Sequence, residues 1–193
     1  MNDGGPPLQT EIERMQRVAD QLCTSHAALR DRFAGRQFIV DIIVLLLSAW
    51  ITAMGFVDPR LNQWLVPPHF DAQLWIGLLG AITFALTLIQ FKADWRGRSE
   101  AHQRSFTMYA EVKREAGYLL ASGDNIAIRD FQRLADRYDM ASDVGAGVPE
   151  KYFLTLKRHH KMKIAISRQL DEKPGSSLWL TKIKLVLRDN WIR

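Results

Sequence analysis

The sequence predicts an all-α integral membrane protein: a two-span transmembrane hairpin with long helices extending into a cytoplasmic helical domain. Three observations predict it. The apolar residues of the 193-residue chain are gathered into two blocks, Phe38 to Val57 and Leu74 to Phe91. The sequence outside the blocks is densely charged, and its apolar residues recur every three or four positions, the period of one helix face. Finally, no proline separates either block from the cytoplasmic sequence beside it, so each apolar helix can run on into polar sequence.

The first block, FIVDIIVLLLSAWITAMGFV, has 20 residues and one charge, Asp41. A core helix of a soluble protein shows a polar residue every turn or so, whereas about 20 mainly apolar residues are what a hydrocarbon core of roughly 30 Å requires. The second block, LWIGLLGAITFALTLIQF, is 18 residues long, with Gln90 its only strongly polar member. A cleavable signal peptide would place a short apolar run near the amino terminus. Here 37 mostly polar residues come first, so the first span is expected to stay as an uncleaved anchor. Arg30, Arg32 and Arg36 precede the first span, and Lys92, Arg96 and Arg98 follow the second. The connector between them has only Arg60, so both termini are expected in the cytoplasm. The organisation that follows is residues 1–37, a cytoplasmic amphipathic helix; 38–57, the first span; 58–73, a short extracytoplasmic loop; 74–91, the second span; 92–175, a cytoplasmic helical domain; and 176–193, an amphipathic tail.

In the amino-terminal helix Leu8, Ile12, Met15, Ala19, Leu22, His26, Leu29 and Phe33 are spaced by 4, 3, 4, 3, 4, 3 and 4, a coiled-coil-like seam. After the second span, Trp95, His102, Tyr109 and Ala116 recur every seven residues, with Ser105, Val112 and Leu119 as a companion row. With only glycines before Gly123, this helix is expected to leave the membrane unbroken and pack on the amino-terminal seam as a stalk. Ile128, Phe131, Leu134, Ala135 and Tyr138 mark a shorter helix, and a further one after Pro149 carries Phe153, Leu156, Ile164 and Leu170. Pro174-Gly175 stops it. The tail SLWLTKIKLVLRDNWIR suits an interfacial helix, an oligomer contact or an edge strand. The connector's prolines end the helices, and Trp64 and Trp75 suit a membrane interface.

The net charge of +5 is unevenly divided. Residues 92–193 hold 20 Lys and Arg against 13 acids, a balance of +7, while residues 1–37 are balanced. A basic surface beside a bilayer is attracted first to anionic headgroups, at about 1 kcal/mol per well-placed cation. Lys157, Arg158, His160, Lys161, Lys163 and Arg168 are the candidates for contact with a nucleotide, RNA or protein partner, against the reading of a solvated or headgroup-facing helix side; direct nucleic-acid binding is not favoured. The single Cys23 excludes an intrachain disulfide and a cysteine metal cluster. His159 and His160, about 100° apart on a helix, do not face one metal and are expected to be solvated. No nucleophile, base or metal-ligand constellation appears, so neither catalysis nor a cofactor is predicted.

Asp41 either reaches the cytoplasmic interface or pairs with Lys92, or else joins Gln90 in a polar ring at the inner mouth of an oligomeric pore. Ser48 and Thr52 are further pore or gate candidates. Ala49 and Ala53 in the first span, and Gly77, Ala81 and Ala85 in the second, are spaced by four and let helix backbones approach closely. One of these faces is expected to close the hairpin and another to meet neighbouring chains. The seam residues His26, His102 and Tyr109 fix register; the two histidines could face each other or separate partners, and could form a pH-sensitive gate.

A cytoplasmic amino-terminal helix, two spans, AHQRSFTMYAEVKREAGYLL and VPEKYFLTLKRHHKMKIAISRQLDEKPG together resemble the SLATT families, bacterial two-transmembrane effector modules associated with nucleotide-signalling and other phage-defence operons. His102, Tyr109 and Arg114-Glu115 match the helix after the second span; Pro149, Lys151, Phe153, Lys157, His160 and Lys163 match the later segment. The resemblance covers roughly residues 10–175. It implies a non-enzymatic homo-oligomeric effector of the bacterial inner membrane. An operon-encoded sensor or a nucleotide second messenger would trigger it to permeabilise or depolarise that membrane and arrest or kill the infected cell. The alternative is a membrane-anchored cytoplasmic binding module.

Overall fold

The computed structural model describes residues 8–56, 66–68, 70–123 and 126–191. All regular structure among them is helical: α1 (Leu8–Phe56), α2 (Ala72–Ala93), α3 (Trp95–Ala121), α4 (Ile128–Val144), α5 (Glu150–Glu172) and α6 (Leu178–Trp191). The strand alternative for the tail is therefore excluded. The chain forms two compact units, one of residues 30–100 and one of residues 1–29 with 101–193.

The first unit is a hairpin of α1 and α2, the two helices long and apolar enough to cross a membrane. Their apolar surface is uncovered: Phe38, Leu45, Phe84 and Phe91 are 66, 64, 66 and 85% exposed. A soluble protein's core helix would hide these side chains. Asp71, extended and one residue before α2, accepts from the Gln73 and Leu74 amides at 2.8 and 3.3 Å and so caps the helix. Phe70 meets Trp75 edge to face, with centroids 5.6 Å apart. Most of the connector, including the interface candidate Trp64 and Asp58-Pro59, lies outside the described residues.

The hairpin does not close on the small residues expected to close it. Ala49, Ala53, Gly77, Ala81 and Ala85 are all exposed. The sheltered positions are instead Val40, Val44, Leu47, Ile51 and Met54 in α1, and Ile76, Leu79, Thr83, Leu86 and Gln90 in α2. Both rows keep a three-four spacing with larger side chains, which interdigitate and gain more dispersion contact than an alanine face provides.

The unbroken inner helix is also corrected. Asp94 adopts a left-handed conformation, φ 42° and ψ 51°, and separates α2 from α3. Its amide donates to the Gln90 carbonyl at 3.1 Å, ending α2, and its carboxylate accepts from the Gly97 amide at 3.1 Å, starting α3. A Cβ on Gly97 would run into the Asp94 carboxyl group, so glycine is what lets this cap close. Aspartate is among the few non-glycine residues that tolerate this backbone region. No proline marks the break, and a carboxylate three residues before a glycine makes it.

The second unit is a bundle. Ile12, Met15, Ala19 and Cys23 of α1 pack with Tyr109, Val112 and Ala116 of α3 and with Leu134 and Ala141 of α4. Ile12, Ala19, Ala116 and Leu134 are fully enclosed. The expected α3 rows are the buried rows: His102, Ser105, Tyr109, Val112 and Ala116. In α1, Cys23 is more deeply placed than Leu22, and Leu8 at the helix start is exposed. Ile128 and Phe153, expected on apolar faces, are exposed as well. The Glu115 carboxylate of α3 meets Arg133 and Arg137 of α4 at 3.3 and 3.1 Å. Ser105 Oγ accepts from the Ala146 amide at 2.7 Å and holds the segment after α4.

Candidate functional site

In the hairpin, Asp41 is the first residue to place. Its Oδ1 accepts from Gln37 Nε2 at 2.9 Å, one turn earlier on α1, and from Gln90 Nε2 across the hairpin in a short contact. Its partners among the described residues are thus two amides and not Lys92. Recesses lie on either side of this cluster. One, of about 380 Å³, is lined by Ala34, Gln37, Phe38, Asp41 and Arg96; the other, of about 570 Å³, by Gln37, Thr87, Gln90, Asp94 and Arg96. Asp41 remains exposed.

The polar residues continue along one flank. At about 100° per residue, Gln37, Asp41, Ser48 and Thr52 lie within one sector of α1, beside the sheltered row. The corresponding sector of α2 holds Thr87 and Gly80 together with the exposed Phe84 and Phe91. Because the helices are antiparallel, these sectors fall on the same side of the hairpin, and Gln90 reaches Asp41 from the sheltered row. The threonine hydroxyls donate within their own helices: Thr52 to the Ser48 carbonyl at 2.8 Å, Thr83 to Leu79 at 2.8 Å and Thr87 to Thr83 at 2.9 Å. Their oxygens keep free acceptor capacity. The small residues Ala49, Ala53, Gly77, Ala81 and Ala85 lie about half a turn from the sheltered rows, on the outer backs of the two helices. Among the described residues, and apart from Gly77's own turn of helix, nothing lies within 4 Å of where a Cβ on Gly77 would sit.

In the bundle the seam histidines face each other. His26 Nδ1 and His102 Nδ1 are 3.0 Å apart, and the His26 ring stacks on Tyr109 at 5.6 Å and 15°. Since both atoms are Nδ1, one ring donates through Nδ1–H while the other accepts through its lone pair, so the two rings hold opposite tautomers. His26 is 1% exposed. Burial, with the neighbouring His102 second, pushes its pKa down to about 4, and burial lowers that of His102. Tyr109 donates to Ser142 Oγ at 3.4 Å.

His160 is not the solvated residue expected. It is 6% exposed, and its Nδ1 lies 3.0 Å from Thr24 Oγ1. The Thr24 hydroxyl donates to the Asp20 carbonyl at 3.1 Å, which makes His160 Nδ1 the donor in this pair. Burial lowers the His160 pKa, partly opposed by Asp20, whose carboxylate lies 3.9 Å from Nε2. His160 therefore ties α5 to α1 and leaves the set of surface ligand candidates. Lys157, Arg158, Lys161, Lys163 and Arg168 are exposed.

Sequence reasoning missed Gln37, Thr87 and Arg96 around Asp41. Gln37 was detectable, being four residues before Asp41 on a helix. The others are set by hairpin register. No local signal joins Thr24 to His160, 136 residues apart. No protein-family model, no curated protein and no solved structure matches the chain.

Proposed function

We propose that the chain is a membrane effector of a bacterial anti-phage system. It sits in the inner membrane with both termini in the cytoplasm. When triggered by an operon-encoded sensor or a nucleotide second messenger, it oligomerises and permeabilises or depolarises that membrane. The observation that carries the reading is the uncovered polar stripe of α1, Asp41, Ser48 and Thr52, on an otherwise apolar hairpin, with Asp41 at its inner end. An isolated hairpin in a bilayer would present this stripe to hydrocarbon, where a carboxylate costs up to about 2.5–3.5 kcal/mol at the bilayer centre and less toward the interface. A ring of copies that turns the flank toward a shared water-filled centre removes that cost.

The positions of the small residues fit such a ring. Ala49 and Ala53 lie on the back of one helix, and Gly77, Ala81 and Ala85 on the back of the other. The back of one hairpin can then meet the opposite back of the next, a head-to-tail contact that closes into a ring. The resemblance of residues 10–175 to the SLATT families supports the same reading. A second reading, a membrane-anchored module that binds nucleotide, RNA or a partner protein, is favoured by the exposure of Lys157, Arg158, Lys161, Lys163 and Arg168 along α5.

The test is membrane potential, read with a voltage-sensitive dye in cells expressing the chain with its operon under a phage trigger. Rapid depolarisation, reduced at equal expression by Asp41→Ala and by Ala49→Leu, is expected. Intact potential in a culture that is nonetheless protected would sink the pore reading. It would move attention to salt-dependent binding by the α5 cations.

A further inference from the structure

We infer that α6 is a surface anchor that lies on an anionic lipid headgroup layer through the side it turns away from the bundle. The helix has two apolar faces. Thr181 and Leu185, 3 and 8% exposed, make the packed face. On the opposite side Leu180, Ile183, Leu187 and Trp191 form a row spaced by 3, 4 and 4, with exposures of 59, 37, 51 and 84%. A helix that served only to complete the bundle would need one such face. The second is a nearly all-apolar concavity rimmed by Lys184 and Arg188.

Charge decides the occupant. Lys182, Lys184 and Arg188 stand on α6 against one acid, Asp189. Arg188 pairs with Asp189 at 3.0 Å, but both side chains are well exposed, so the pair is weak and Arg188 stays available to a headgroup. Arg168 of α5 and Lys173 just after it join Lys184 and Arg188 around the adjoining groove, with Glu172. A hydrocarbon strip bordered by cations matches the boundary between acyl chains and anionic headgroups. Trp179 and Trp191 near the two ends of the helix are the residue type favoured at that boundary. A second copy is a poorer fit, since two such faces would press like charges together. The inference rests on reading α1 and α2 as membrane spans, because that tether holds α6 at high effective concentration near lipid.

The experiment uses the full chain with Cys23→Ala and Leu187→Cys, labelled with an environment-sensitive fluorophore and reconstituted in vesicles. Blue-shifted emission is expected with phosphatidylglycerol present, and emission near the aqueous value in phosphatidylcholine alone. The variant K184Q/R188Q leaves Thr181 and Leu185 untouched. At roughly fivefold per cation it should lower the docked-to-undocked ratio roughly thirtyfold. Aqueous emission in both lipids would overturn the inference, as would a shift that ignores lipid charge and grows with the protein-to-lipid ratio, which would assign the face to a second copy. Alkaline extraction separates the two readings. A chain that is extracted yet keeps its charge-dependent shift retains the α6 anchor and loses the spans; a chain that resists extraction and shows no shift loses the anchor alone.

Discussion

Acidification should loosen the bundle through His26. The ordinary histidine pKa of 6.5 applies to the unfolded chain, and burial holds the folded value at about 4. A lowered value means that the unfolded state binds a proton the folded state refuses between these limits. The stability is therefore complete above pH 6.5, is lost as pH falls toward 4, and levels off below. At about 1.4 kcal/mol per tenfold difference in proton affinity, the loss over that window is about 3 kcal/mol, roughly a hundredfold in the opening equilibrium. The pair adds to the effect once both rings are charged, because two imidazolium rings would set two Nδ1–H donors against each other across 3.0 Å. Cys23 is the reporter: it is the chain's only cysteine, is 7% exposed, and burial pushes its thiol up to about 11. Labelling by a dithiodipyridine, divided by the rate for the denatured chain at the same pH, gives a protection factor free of the reagent's own pH dependence. That factor should fall steeply between about pH 6.5 and 4. In H26Q/H102Q, which keeps hydrogen-bonding side chains, only the smaller slope from His160 should remain. Equal slopes in the two proteins would refute the reasoning.

Three further outcomes are expected. Leu134→Ala, at a fully enclosed site, should cost about 2–5 kcal/mol in denaturant unfolding of the bundle, since the surrounding helices only partly collapse on the cavity. Gly97→Ala should weaken the α2–α3 break by about 1 kcal/mol through collision with the Asp94 carboxylate, read as faster hydrogen exchange at the Gly97 amide. Adding Asp94→Gly should remove most of the extra penalty, and simple additivity of the two would count against the cap. His160→Ala should remove the bond to Thr24, whose hydroxyl keeps its partner in Asp20, at a cost of about 0.5–1.5 kcal/mol and speed exchange in α5 before α3; unchanged α5 protection would show that the tie is unimportant.

Much of this protein was legible along the chain. The two apolar blocks and the three-four seams are local patterns, and so Phe38–Val57, Leu74–Phe91, Ile12 to Leu29 and the His102–Tyr109–Ala116 row could be read directly. The similar depth of Asp41 and Gln90 from the inner ends of their spans could be read as well, though their direct contact within one hairpin could not. What local pattern could not decide was which of several plausible faces each helix would use. Ala49 and Gly77 had the spacing for close helix packing, but Val44, Leu47, Leu79 and Leu86 had the volume, and volume won. His160 read as solvated because its partners, Thr24 and Asp20, come from the other end of the chain. The break at Asp94 escaped notice because it depends on a side chain capping the following helix, with no proline to mark it. Periodicity therefore determined by itself most of the helical segments and which of them are apolar enough for a membrane, but neither the break at Asp94 nor the helical state of the tail. Only the tertiary structure decided which faces are consumed in packing and which are left open, because that choice compares the burial of distant residues against one another, and no stretch of sequence contains both sides of the comparison.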